Sequence, residues 1–213
     1  MDGTFKKGKR LRRWELALLM GLALASLMGA SLGQSRAALA EKVIRLHVVA
    51  NSDSAADQAV KLLVRDRILA ESGDLFAPGG TPAEAEEKIK GALPRLAAAG
   101  AEVLGENGKT YPVTASLEHH VWFPTKTYKD FALPAGDYTA LRLVLGEGEG
   151  QNWWCVVFPP LCLGSVTEEI AQTGGFSPDE IALITGETQG YVIKFKALEL
   201  LDQWMGHGGQ KGG

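Results

Sequence analysis

The segment VIRLHVVANSDSAADQAVKLLVRD, residues 43–66, decides the fold. Its first eight residues are largely apolar and rich in β-branched side chains, which predicts a buried or half-buried strand. The polar residues 51–54 predict a turn that supplies N-cap candidates. A helix is then expected over residues 55–72, with Gly73 as its stop. Its apolar positions recur at helical spacing and are Val60, Leu63, Val64 and Ile68.

Downstream of this segment, the pattern predicts a second long helix. Thr81-Pro82-Ala83-Glu84 has the form of a capping box with proline at the first helical position. Pro94 lies inside the helical stretch, and we expect it to kink or split the helix. The glycines at residues 105–108 close it.

Three further strands are predicted at residues 111–122, 137–145 and 152–158. The Gly-rich turn at residues 146–150 predicts that the last two strands form a hairpin. Short helices at residues 166–172 and 178–183 and a closing amphipathic helix at residues 191–204 complete the pattern. The fold class is therefore α+β, a single domain with a mixed or antiparallel sheet packed with helices.

The first forty residues have the pattern of an export signal. Six basic residues lie between Lys6 and Arg13, and residues 16–35 carry no charge. A cationic segment before an apolar one is typical of a signal peptide or signal anchor. Ala38-Leu39-Ala40 is an A-x-A site, which predicts cleavage between Ala40 and Glu41; a retained membrane anchor is the alternative.

The sign of the net charge changes after residue 40 of the 213-residue chain. Residues 1–40 hold seven Lys and Arg against two acidic residues, whereas residues 41–213 hold 15 basic and 23 acidic residues. An acidic body argues against a nucleic-acid-binding surface. The predicted organisation is a signal segment at residues 1–40, a body at 41–205 and a flexible Gly-rich tail at 206–213.

A polar cluster follows the first strand and continues along the next helix. Partner recognition is one interpretation of it; helix capping and ion pairs on the helix surface, such as Asp57 with Lys61, are the other. Spacing alone slightly favours the structural interpretation. The cluster comprises His47, Asn51, Ser52, Asp53, Asp57, Gln58, Lys61, Arg65 and Asp66.

Two other groups of residues are candidates for chemistry or binding. Cys155 and Cys162 are the only cysteines, and in an exported chain they predict a disulfide; two buried thiols, or Cys155 as a nucleophile, are the alternatives. Trp153 and Trp154 are adjacent on a strand, so one ring is expected to point inward and the other to be a possible partner anchor.

Known catalytic and metal-binding patterns are absent from the sequence. His47, His119 and His120 form no metal-ligand pattern, and we expect neither a metal nor a cofactor. No nucleotide loop, nucleophile elbow or redox C-x-x-C occurs. The alternative to a binding protein is an exported hydrolase that uses His47 with Asp53 or Cys155.

Five stretches of the chain together resemble the stage II sporulation protein R family of endospore-forming bacteria. They are IRLHVVANSDSAADQAVKLLVRD at 44–66, FPTKTY at 123–128, LPAGDYTALR at 133–142, GEGQNWWCVVFPPLC at 148–162 and an FK-x-x-E run at 195–199. Residues 162–165 depart from that pattern, since an aromatic and an acidic residue are common there in the family.

The resemblance implies a signalling protein and not an enzyme. Family members are exported from the forespore into the space between the two membranes, where they activate a membrane-embedded aspartic protease of the mother cell. That protease removes the pro-sequence of pro-sigma-E. Because the match includes polar positions of the cluster, we expect the cluster without Ser52, together with Trp153 or Trp154, to contact the receptor.

Overall fold

The computed structural model of the chain describes residues 12–73, 80–128, 131–161, 176–177, 180–181 and 184, and omits the side chains of residues 24–35. The chain divides into two compact units, Met1–Arg36 and Ala37–Gly213. Among the described residues, no helix combines the length and the apolar character needed to cross a membrane. The predicted helices at 166–172 and 191–204 lie outside the described residues.

Three helices and six strands make up the described structure. In chain order they are α1 (Arg13–Glu41), β1 (Ile44–Val49), α2 (Ala55–Gly73), α3 (Pro82–Glu106), β2 (Val113–Phe123), β3 (Lys126–Thr127), β4 (Ala132–Leu133), β5 (Gly136–Leu145) and β6 (Asn152–Phe158). The predicted α+β class, with a mixed sheet packed with helices, is confirmed. The sequence pattern missed β3 and β4, which pair antiparallel between the strands predicted at 111–122 and 137–145.

The main sheet has the strand order β2-β5-β1-β6. β1 runs parallel to β5 and antiparallel to β6, whereas β2 is antiparallel to β5. The predicted hairpin of β5 and β6 is therefore wrong, because β1 lies between them. A hairpin pattern cannot distinguish the two arrangements, since β5 and β6 run in opposite directions in both.

One face of the sheet packs against α2 and α3. Leu46 and Val48 of β1, together with Leu141 and Leu143 of β5, are fully buried in this first core. Val60, Val64 and Ile68 of α2 complete the contact. Leu63 was expected on that apolar face but is 46% exposed, because it lies beside the buried stripe on the solvent side of α2.

The opposite face of the sheet carries a second core. Its buried residues come from β2, β4, β5 and β6 and from the chain on either side of them. They are Leu39, Val43, Phe123, Phe131, Leu133, Tyr138, Ala140, Val156, Leu161, Phe176 and Ile184. Because both faces are covered, the strands are apolar on both sides over much of their length.

The helix ends follow the predicted capping chemistry. Ser54 accepts a hydrogen bond from the Asp57 N–H at 3.1 Å and so caps α2. In α3, Thr81 and Glu84 form the reciprocal capping box. α3 continues through Pro94 without being split.

Candidate functional site

Asp57, in the first turn of α2, is the centre of a buried hydrogen-bond network. Its carboxylate accepts from Asn51 at 2.9 Å, Ser52 at 2.6 Å, Lys109 at 2.6 Å and Tyr111 at 3.0 Å. The hydrogen bond from Asn51, followed by those from Lys109 and Ser52, holds the pKa of the Asp57 carboxyl well below its usual value. Asp57 therefore ties the β1–α2 turn to the chain that enters β2.

The β1–α2 turn also holds the connection between β5 and β6. The Glu147 N–H donates to Asn51 Oδ1 at 3.1 Å, and the Gln151 N–H donates to Asp53 Oδ1 at 2.9 Å. A Cβ atom at Gly150 would overlap the backbone carbonyl of Ser52. This connection, expected to be flexible, is fixed at both ends and passes over the end of β1.

Lys61 extends the same network along α2. Its ammonium is buried and donates to Gln58 Oε1 at 2.7 Å and to the Gln151 carbonyl at 2.9 Å. The predicted partner of Lys61 was Asp57, which instead pairs with Lys109. Burial lowers the pKa of Lys61, and nearby Asp53 opposes that shift.

We call these six residues the turn network: Asn51, Ser52, Asp53, Asp57, Gln58 and Lys61. All of them make hydrogen bonds within the chain. The network joins three loops that are far apart in sequence. A structural role thus accounts for most of the polar cluster, and within the turn network only Asp53 is exposed.

Arg65 and Trp153 bring α2 and β6 together on the helix-covered face of the sheet. The Arg65 guanidinium carbon lies 4.8 Å from the centre of the Trp153 ring. Arg65 also forms an ion pair with the exposed Asp66, at 2.7 Å. We call Arg65, Asp66 and Trp153 the helix-face patch. Its half-buried aromatic ring and its arginine are residue types that concentrate binding energy at interfaces.

His47 and Trp154 lie on the opposite face of the sheet. His47 Nε2 is hydrogen-bonded to Asn152 Oδ1 at 2.6 Å, and the ring centres of His47 and Trp154 are 6.2 Å apart. Lys126 Nζ lies 5.8 Å from the centre of the Trp154 ring. Burial lowers the pKa of His47, and Arg142 and Arg45 lower it further, whereas the hydrogen bond to Asn152 Oδ1 raises it.

The strand register places the two tryptophans on opposite faces of the sheet; because a core covers each face, the expected division into one inward and one outward ring does not hold. Trp153 pairs with Val48 and packs on the first core, whereas Trp154 pairs with His47 and packs on the second. The two rings are both half-buried. A single flat partner surface cannot cover both rings. The residues predicted to contact the receptor therefore lie on two different faces of the sheet.

Arg45 is a buried cation that the sequence reasoning missed. Its side chain is fully buried, with the guanidinium carbon 4.2 Å from the Phe123 ring centre and 5.1 Å from that of Tyr138. Nη2 donates to the Tyr128 hydroxyl at 3.0 Å, and Nε and Nη1 have no hydrogen-bond partner among the described residues. Two aromatic faces stabilise this charge through cation–π contacts. A single arginine inside an apolar strand is the signal that indicates such a site.

The structure does not bring together the groups of the hydrolase alternative. Cys155 pairs with Leu46 and is buried in the first core, whereas the ring of His47 lies on the other face. The Asp53 carboxylate accepts a hydrogen bond from the Gln151 N–H. Cys162 lies outside the described residues, so the disulfide of Cys155 and Cys162 stays a prediction.

His119 and His120 do not follow simple strand alternation. The pairing of β2 with β5 shifts between Glu118 and Val121, and His120 has a φ of 57°. His119 lies 3.1 Å from the Thr139 hydroxyl and 3.8 Å from Glu86. Within the described part of the chain, no group of three His, Cys, Asp or Glu side chains could hold a metal ion.

Comparison with known proteins identifies the family. The chain belongs to the stage II sporulation protein R family, whose model matches residues 40–168. One relative, "Stage II sporulation protein R" of Bacillus subtilis (strain 168), is 38% identical over 122 residues, which are 57% of this chain and 54% of that protein. The chain thus matches about half the length of that relative. No solved structure matches the chain. The family membership gives the chain a role in sporulation.

Proposed function

We propose that the chain is an exported signalling protein that activates a membrane-embedded aspartic protease of the mother cell. The protease then removes the pro-sequence of pro-sigma-E. Family membership supports the sporulation role, and the identity of the receptor is our extension of it. In this proposal the chain is a ligand and performs no catalysis.

The N-terminal sequence supports export from the forespore into the space between the two membranes. Residues 1–40 combine a basic segment with a long uncharged one, and the body that follows is acidic. That pattern is typical of a signal peptide or signal anchor. Export would bring the body to the extracytoplasmic face of the receptor.

The helix-face patch is the proposed receptor-binding surface. The observation that carries this choice is the stacking of Arg65 on Trp153 at 4.8 Å, beside the exposed carboxylate of Asp66. Arginine and tryptophan dominate interface energetics when they are partly accessible. The turn network lies N-terminal to Arg65, in the β1–α2 turn and the first two turns of α2.

Binding would activate the protease through a difference in affinity. A ligand shifts an equilibrium between two receptor states only if it binds one of them more tightly. The helix-face patch would therefore bind the active, oligomeric receptor better than the inactive one. The chain supplies the free energy of this shift without touching the protease active site.

Reconstitution in a non-sporulating host tests the proposal. The chain, the candidate protease and pro-sigma-E are co-expressed, and cleavage of pro-sigma-E is scored with and without residues 1–36 of the chain, because the compact body begins at Ala37. We expect cleavage only when the exportable chain is present. Intact pro-sigma-E, with all three proteins shown to be present and folded, would contradict the proposal.

A further inference from the structure

Leu39 is part of the folded body. Its side chain is fully buried in the second core and is among the largest fully buried side chains of the chain. It belongs to the compact unit that begins at Ala37. The same core contains Val43, the residue immediately before β1, and Tyr138 of β5. Leu39 is therefore part of the second core, although the sequence pattern places it in the predicted export segment.

The backbone at this point is also incorporated into the body. The Lys42 N–H donates to the Leu39 carbonyl at 3.2 Å, and the Val43 N–H donates to the Ala40 carbonyl at 3.4 Å. These bonds end α1 at Glu41 and lead the chain directly into β1. Cleavage between Ala40 and Glu41 would remove both acceptors and the Leu39 side chain.

We infer that Leu39 stays attached to the exported body, so that the mature N-terminus lies upstream of it. The inference rests on the proposed export of the chain. A body starting at Glu41 would contain a leucine-sized cavity in its second core, a defect that destabilises folded proteins strongly. Ser35 and Ala37 place small residues at the −3 and −1 positions of the Ala37–Ala38 bond, as signal cleavage requires. Cleavage there keeps Leu39.

Mass spectrometry of the exported species tests the inference directly. The full chain is expressed with its own N-terminal segment in an exporting bacterial host, and the N-terminal peptide is identified. We expect Ala38 as the first residue. Any start at or upstream of Leu39, an uncleaved chain included, supports the inference, and a start at Glu41 or beyond overturns it.

A stability measurement on substituted full-length chains provides a second test. Leu39→Ala should lower the melting temperature of the exported species by about 5–15 °C, because it opens a cavity in the core. Leu63→Ala is the matched control, since Leu63 is 46% exposed; its effect should be below about 2 °C. A substitution at a residue that cleavage has removed cannot change stability. An unchanged melting temperature for Leu39→Ala would therefore contradict the inference.

Different results would contradict the proposed function and the inference about Leu39. A body that starts at Glu41 and still triggers cleavage of pro-sigma-E would overturn the inference and leave the proposed function intact. A body that retains Leu39 but never triggers that cleavage would do the reverse.

Discussion

The guanidinium of Arg65 stacks on the ring of Trp153, with 4.8 Å between the Arg65 Cζ atom and the ring centre. The contact joins the exposed side of α2 to a strand that follows it by some eighty residues. Neither side chain is fully buried. The pair therefore presents a cation and an aromatic ring together on the helix-covered side of the sheet, where part of the Trp153 side chain packs on the first core.

We expect Arg65→Ala to weaken receptor activation while leaving the body folded. Loss of an interface arginine of this kind costs about 2 kcal/mol or more of binding free energy, roughly a 30-fold loss of affinity. Its contribution to folding should be below about 1 kcal/mol, since the stacking is partly exposed. The dose of chain needed for half-maximal cleavage of pro-sigma-E measures the first effect, and urea unfolding measures the second.

Arg67→Ala is the control for that experiment. Arg67 lies two residues further along α2 and pairs with Glu71 and Glu102, away from Trp153. Its removal should leave activation unchanged. Equal activity of the Arg65→Ala and wild-type chains would exclude the helix-face patch as the receptor-binding surface.

Asp57→Ala should lower the free energy of unfolding of the body by about 3 kcal/mol. The substitution removes the carboxylate and leaves its buried hydrogen-bond donors without an acceptor. The exposed Asp66 provides the comparison, and Asp66→Ala should cost less than about 1 kcal/mol. Chemical denaturation of the two variants measures both values. Similar losses for the two would mean that the turn network does not depend on Asp57.

The same carboxylate should make the chain sensitive to acid. The pKa of Asp57 is lowered in the folded chain from its ordinary value of 3.8, so the unfolded chain binds the proton first as the pH falls. The stabilisation from Asp57 is thus complete above 3.8 and is lost progressively below that value. Thermal unfolding between about pH 5 and about pH 3 should show a weaker pH dependence in Asp57→Ala than in the wild type.

His47 should contribute a separate pH dependence nearer to neutrality. Burial lowers its pKa below the ordinary value of 6.5, so the unfolded chain takes up the proton more readily. Stability should therefore fall as the pH drops below 6.5, with a slope of at most about 1.4 kcal/mol per pH unit. His47→Gln should flatten this slope between about pH 7.5 and about pH 5.5.

His119→Gln is the control for His47, because the side chain of His119 is 51% exposed. If His47→Gln kept the wild-type slope, titration of His47 would not be its source.

Two glycines should respond oppositely to alanine. At Gly150 the added Cβ would meet the backbone of Ser52, which cannot move aside as a side chain can; we expect a loss of about 1–3 kcal/mol. At Gly91, inside α3, nothing lies within 4 Å of the added Cβ, and helix propensity predicts a gain of about 0.5–1 kcal/mol. Differential scanning calorimetry of both variants should give melting temperatures on either side of the wild-type value.

The sequence by itself determined the secondary structure that surrounds the site. The apolar run at β1, the helical spacing of Val60, Val64 and Ile68, and the capping box of Thr81 and Glu84 depend on neighbours within a few residues. Such local patterns have a period and an end signal, so they can be recognised without the fold. The alternation along β6 likewise placed Trp153 and Trp154 on opposite faces.

Strand pairing and the hydrogen-bond partners of the polar side chains could be read only from the tertiary structure. β1 lies between β5 and β6, parallel to β5 and antiparallel to β6. The two neighbours together pair the backbone N–H and C=O groups on both edges of β1. Lys109 and Tyr111 reach Asp57 from more than fifty residues away, and no local spacing encodes that contact. Hydrogen bonds and burial between distant segments depend on the packing of the whole chain, and for that reason the turn network, the buried Arg45 and the core position of Leu39 emerged only with the fold.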